Sequence, residues 1–141
     1  MAKIEIPPVS VRAYTKPGGN VGVRARNVEY ELSELPQFGG RGDHLTPLES
    51  FIASLLGCEI FMMKILGEQA LGISEFEVEA QASAKFEIGH GLKSLSISFR
   101  VKGLNSEEFE ELLKLVEKQC PIYNTLKRAD VSISVTYEIV Q

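Results

Sequence analysis

The stretch that decides the fold is Thr46-Pro47-Leu48-Glu49-Ser50-Phe51-Ile52-Ala53-Ser54-Leu55-Leu56-Gly57-Cys58-Glu59-Ile60-Phe61-Met62-Met63-Lys64-Ile65-Leu66. Threonine followed by proline suits an N-cap and first helical position, and the helix predicted from there runs to Leu71. Between Phe51 and Leu66 its only charged residues are Glu59 and Lys64. A helix that is apolar nearly all round must be central and covered on most sides. This is expected to be the buried helix of the fold.

Strands are predicted on both sides of it. Downstream, Phe76, Val78, Ala80, Ala82, Ala84, Phe86 and Ile88 alternate with polar residues, the period of a long strand with one wet face. Leu95, Ile97, Phe99 and Val101 repeat the pattern after a turn at Gly89-His90-Gly91, and Val131 to Ile139 give a last strand. Between these strands, Asn105 and Glu108 form a capping box for a helix with the stripe Phe109, Leu112, Leu113 and Val116. Cys120 continues that stripe, and Pro121 starts a short segment to Arg128. Upstream, Val9 to Tyr14 and Val21 to Leu32 flank a turn cluster at residues 15–20 and predict a hairpin. The glycine-rich loop 36–43 is expected to lack regular structure. The sum is an α+β chain of antiparallel strands, one buried helix and one surface helix, with no linker or repeat to divide residues 1–141.

Composition narrows the function classes. The chain has 141 residues, a net charge of −4 and a pI of about 5.3, which argues against a nucleic-acid footprint. No run of eighteen apolar residues is present, and residues 1–9 carry no apolar signal region, so neither a membrane span nor secretion is expected. Two cysteines, Cys58 and Cys120, are too few for a disulfide scaffold, and the expected compartment is the cytoplasm. With His44 and His90 they match the inventory of a structural zinc, but no pair has ligand spacing, so no metal is expected. The Gly39-Gly40-Arg41-Gly42-Asp43 loop lacks the lysine and hydroxyl residue of a P-loop, which leaves it a connector.

The two cysteines are the informative residues. Each falls on the apolar face of a predicted helix, and helices packing by those faces can bring them together. Burial as inert core thiols is the common alternative. Against that, Cys120-Pro121 sets a sulfur at a helix start, where a thiolate is favoured.

The run from Thr46 to Cys58 resembles the start of the central helix in the OsmC/Ohr family: a proline, a glutamate, a small and apolar run, then a cysteine. Cys120-Pro121-Ile122-Tyr123-Asn124-Thr125-Leu126 resembles that family's second hallmark, a Cys-Pro opening a short helix, and the Phe38-Gly39-Gly40 loop also fits. The order of elements matches over nearly the full chain. The resemblance implies an intertwined homodimer with antiparallel sheets around a long buried central helix. It further implies reduction of organic hydroperoxides without a bound cofactor. Cys58 would attack the O–O bond and become a sulfenic acid, and Cys120 would condense with it to a disulfide. An external thiol or dihydrolipoyl-type dithiol would reset the pair.

Two departures bear on the expectation. In the peroxidase branches the glutamate directly follows the proline, whereas here Leu48 intervenes and the candidate is Glu49. On a continuous helix the nine residues from Glu49 to Cys58 turn by about 900°, which sets the two on opposite faces. The hairpin arginine of one branch would fall near Gly18-Gly19-Asn20, where there is none. Arg41 is the best substitute, with Arg24 and Arg26 in reserve. Exposure alone would nominate Cys120 as the reactive sulfur, since Cys58 lies deep in an apolar helix, while the family roles nominate Cys58. The rival function is a non-catalytic protein on the same scaffold that binds an apolar or acyl-thioester ligand beside Phe51, Phe61, Met62 and Met63.

Overall fold

A computed structural model describes residues 5–141 of the chain. They divide into two compact units, one reaching Ser50 and the other running from Phe51 to Gln141.

The first unit is built on an antiparallel meander of β1 (Arg12–Thr15), β2 (Val21–Ala25) and β3 (Val28–Leu32). The second half of the expected hairpin is therefore two strands, not one. Ala25 pairs with Val28 across a tight turn, with Arg26 in the left-handed region at φ 55°. A non-glycine residue there is uncommon, and the β-branched run on either side masked the turn. The following loop also contains a short 3₁₀ turn, Pro36–Phe38, where no regular structure was expected. Gly40 is required in this loop, because a Cβ there would stand 2.1 Å from the Glu34 carbonyl oxygen.

The helix α1 (Pro47–Leu71) begins in this unit. Its start is a reciprocal capping box: Glu49 N–H donates to Thr46 Oγ1 at 3.1 Å, and Thr46 N–H donates to Glu49 Oε1 at 2.9 Å. Its end is an αL cap, with Gly72 left-handed at φ 66° and its N–H donating to the Glu68 carbonyl at 3.1 Å.

In the second unit β4 (Glu77–Glu87) and β5 (Gly91–Lys102) form the expected antiparallel hairpin, and β6 (Ser132–Val140) adds to the far side of β5. That last pairing is parallel, which corrects the expectation of antiparallel strands throughout. Two helices, α2 (Ser106–Gln119) and α3 (Pro121–Arg128), separate β5 from β6 and return the chain to the starting end of the sheet. The core joins Leu95, Ile97, Phe99 and Val101 of β5 to Phe109, Leu112 and Val116 of α2 and to Leu55 and Met63 of α1. Phe109 is the keystone, with its ring 5.6 Å from that of Phe99 and 5.0 Å from that of Tyr137.

The capping box at Asn105 forms as expected, Glu108 N–H donating to Asn105 Oδ1 at 2.8 Å. Asn105→Ala is expected to cost about 1 kcal/mol of stability, read as a lower urea midpoint at unchanged slope.

Along α1 the buried residues from Phe51 onward are Leu55, Glu59, Met63, Leu66 and Gly67, a single stripe at helical spacing. One copy of the chain therefore covers one face of the helix, not most of its circumference. Phe61 is 73% exposed and Ile65 49%. An 18-residue window of α1 reaches a mean hydropathy of 1.6, enough by length and composition to cross a membrane. Its buried stripe nevertheless makes it a core helix of the unit.

Candidate functional site

The structure brings the two cysteines together across 62 residues of sequence. Cys58, near the middle of α1, and Cys120, at the α2–α3 junction, stand with their sulfurs 3.2 Å apart as free thiols. The junction explains the placement. Cys120 ends α2 and caps α3, with Pro121 supplying the first helical residue, so its side chain turns inward against α1.

The environments of the two sulfurs are unequal. Cys120 has no exposed surface, while Cys58 is only partly covered. Exposure thus nominates Cys58, the reverse of the expectation from an all-apolar helix, because the cysteine flanks the buried stripe and does not lie in it. Burial pushes the Cys120 pKa up, and the backbone N–H of Tyr123, 3.5 Å from the sulfur, offsets only part of that shift. The helix-start effect expected to favour a Cys120 thiolate is therefore outweighed by desolvation. Cys120 keeps its proton and donates it toward Cys58 Sγ.

A third residue, which the sequence did not single out, lies in the same buried region. Glu59 follows Cys58 in α1, has no exposed surface, and neither carboxyl oxygen has a hydrogen-bond partner among the described residues. Burial, with the charge of Glu117 second, pushes its pKa up to about 7. Glu117 on α2 is itself raised by burial, against the opposing charge of Lys127. The Tyr123 hydroxyl is raised by burial and by the charges of Glu117 and Glu59. The available signal was a lone carboxylate inside an apolar helical run, directly after the cysteine.

The other expected site residues lie in the first unit. Glu49 is engaged in the Thr46 capping box. Arg41 pairs with Asp43 at 3.2 Å, and its guanidinium lies over Gly18, where a Cβ would meet Nη1 at 2.6 Å. Arg41 thus reaches the turn at Gly18 between β1 and β2. Behind it, Asn20 is buried and donates to Glu31 at 3.1 Å and to Asp43 at 2.9 Å. That donation, with a second hydrogen bond from His44, holds the Asp43 carboxyl well below the usual range. Of the residues proposed to line an apolar pocket, Met63 is in the core and Phe61 is on the surface.

The profile of the family described as OsmC-like protein matches residues 40–136. A hydroperoxide reductase of Mycoplasma genitalium is 25% identical over 138 residues, covering 89% of this chain and 94% of the relative. In fold, the chain is similar to an OsmC-like protein from Mycoplasma pneumoniae, with a TM-score of 0.85 and 18% identity over 96% of this chain and 99% of that one. It is also similar to an organic hydroperoxide resistance protein from Legionella pneumophila, with a TM-score of 0.73 and 19% identity over the same shares.

Proposed function

The chain belongs to the OsmC-like protein family, and from that premise we propose that it is a thiol-dependent reductase of organic hydroperoxides acting through Cys58 and Cys120. The observation that carries this reading is the 3.2 Å approach of two free thiols with unequal exposure. From that separation a shift of about an ångström reaches the ~2.05 Å of a disulfide bond.

The Cys58 thiolate attacks the terminal peroxide oxygen. The O–O bond breaks, the sulfur becomes a sulfenic acid, and the alkoxide leaves and takes up a proton as the alcohol. Cys120 then attacks the Cys58 sulfur, loses its proton and expels hydroxide, which departs as water. A dithiol of dihydrolipoyl type restores both thiols by exchange and leaves as its own disulfide. Burial of Cys120 supports the resolving role, since a protonated, covered thiol waits for a partner that is already in contact.

The test is stoichiometric. One equivalent of cumene hydroperoxide is expected to remove both free thiols and to lower the intact mass by the two thiol hydrogens. Thiols that persist after peroxide treatment would overturn the reading. Cys120→Ser is expected to trap the sulfenic acid on Cys58, seen as a dimedone adduct. We assign the assisting cation to Arg41 on sequence grounds, and its reach to the Gly18 turn supports that choice. Arg41→Ala is expected to slow dimedone labelling roughly tenfold, the lower range for a charge-assisted hydrogen bond.

The proposal includes a homodimer in the cytoplasm. A second copy would cover Phe61 and Ile65, which one chain leaves exposed on α1. Sedimentation at micromolar concentration is expected to give twice the 15.6 kDa chain mass. A folded monomer would remove the dimer from the proposal.

A further inference from the structure

The polar face of the first unit gathers three arginines. Arg12 of β1 and Arg24 of β2 are cross-strand partners, directly opposite on one face of the sheet. Arg26 follows in the β2–β3 turn, left-handed at φ 55° in a position that two-residue hairpins usually give to glycine or asparagine. The three line a cavity of about 400 Å³ with Pro8, Ser10 and Ala25. Like charges set directly opposite on a sheet destabilise it. In a chain of net charge −4 such a cluster does not follow from composition.

No carboxylate neutralises the cluster. Among the described residues none of the three arginines is ion-paired, although Lys16, Arg41 and Arg100 all are. Glu29 stands across from Arg24 on β3, yet it neither pairs with it nor lines the cavity. Residues 1–4 contain a lysine and no acidic side chain. Arg12 meets an aromatic ring instead: its guanidinium lies 5.9 Å from the centroid of Tyr14. That ring crosses Gly22, where a Cβ would stand 2.5 Å from it. A guanidinium held by its flat face keeps its edge N–H donors free for another ligand.

We propose that Arg12, Arg24 and Arg26 form a binding site for a phosphomonoester dianion, built wholly within the first unit and independent of the redox reading. The chemistry selects the class. A carboxylate brings one charge and two oxygens, which a single guanidinium fork satisfies. A phosphomonoester brings about two charges and three terminal oxygens, and so engages several forks at once. Ser10 adds a hydroxyl to the lining, and the cavity has the size of a small-molecule site, with room for the organic part of the ester. Three arginines on an acidic chain suit one such group rather than a nucleic-acid backbone. The apolar side chains of the same strands, Val21, Val28 and Tyr30, alternate onto the opposite face. A second copy covering that face would leave the arginines in solvent.

The experiment titrates the full chain calorimetrically with glucose 6-phosphate at about 0.15 M ionic strength, where distant charges are screened. In parallel, the chain is co-sedimented with phosphatidylcholine vesicles with and without phosphatidic acid. One saturable site per chain is expected for the soluble ester; binding to the phosphatidic acid vesicles alone would identify the same group on a lipid. Arg24→Gln and Arg12→Gln are each expected to weaken binding at least about tenfold, the loss of a charge-assisted hydrogen bond. Arg128→Gln, which removes the same charge from α3, is expected to leave it unchanged. Arg24→Gln is also expected to unfold at an equal or higher urea concentration, since it removes one of two opposed like charges. Binding of neither probe, an equal loss in Arg128→Gln, or full binding by both arginine variants would overturn the site. Slower dimedone labelling of Cys58 in Arg24→Gln, with undiminished binding of the ester, would give that arginine to the cysteine and overturn the site as well.

Discussion

Cys58→Ser is expected to lower peroxide consumption by at least about 10³-fold, the loss typical of deleting a nucleophile that no neighbour can replace. A serine hydroxyl in the same place is not oxidised and is not deprotonated at neutral pH, so the first step has no substitute atom. The surviving sulfur does not fill the gap. Cys120 has no exposed surface, and burial holds its proton on. Iodoacetamide is therefore expected to label wild type at Cys58 and to leave Cys58→Ser almost unlabelled in the folded state. Peroxide turnover with a dithiol reductant checks the first expectation and peptide mass mapping the second. Comparable turnover in wild type and Cys58→Ser would remove Cys58 from the reaction. Ready labelling of Cys120 in the variant would instead exchange the two roles.

Much of this arrangement was legible in the sequence because periodicity reports burial directly. The alternation in β4 and β5, the stripe of α2 and the caps at Thr46 and Asn105 each follow from local rules, and each stands close to its expected place, with β5 starting three to four residues earlier at Gly91. Three features were not legible, for separate physical reasons. The parallel pairing of β6 is set by the path through α2 and α3, which no local pattern encodes. The turn at Arg26 uses a left-handed residue that is not glycine, so the usual punctuation was missing. The third is the partial exposure of α1. Hydrophobicity says that a surface will be covered but not by which chain, and a single copy covers only the stripe through Leu55, Glu59 and Met63.

The site divides along the same line. The two cysteines carried a motif and could be named in advance, whereas their 3.2 Å approach depends on how α1 meets the α2–α3 junction. Glu59 carried no motif. A glutamate in a helix usually marks the wet face, and here it falls in register with Leu55 and Met63, four residues away on either side. Its position in the stripe was readable. That it has no hydrogen-bond partner was not, because that depends on α2 and α3 bringing Glu117 and Tyr123 toward it rather than a lysine or arginine.

The buried carboxyl also fixes how stability depends on pH. In the unfolded chain Glu59 ionises near the ordinary glutamate value of 4.5, and in the folded chain at about 7. The folded state therefore binds the extra proton between those values. Its stabilising effect is complete below the unfolded value and is lost as pH rises through the folded one. At 1.36 kcal/mol per unit the loss amounts to about 3 kcal/mol, a large share of the stability of a domain this size. Glu117, raised in the same direction by burial, adds to the decline. Reduced wild-type protein is thus expected to unfold at progressively lower urea from about pH 5 to pH 8. Glu59→Gln, which cannot ionise, is expected to show a shallower decline, leaving it more stable than wild type at pH 8. At pH 5 the order narrows or reverses, because the neutral acid and the amide then carry similar desolvation costs. Parallel stability curves for the two proteins across that range would show that Glu59 is not buried with its proton, and the unpartnered carboxyl would need a cation to explain it.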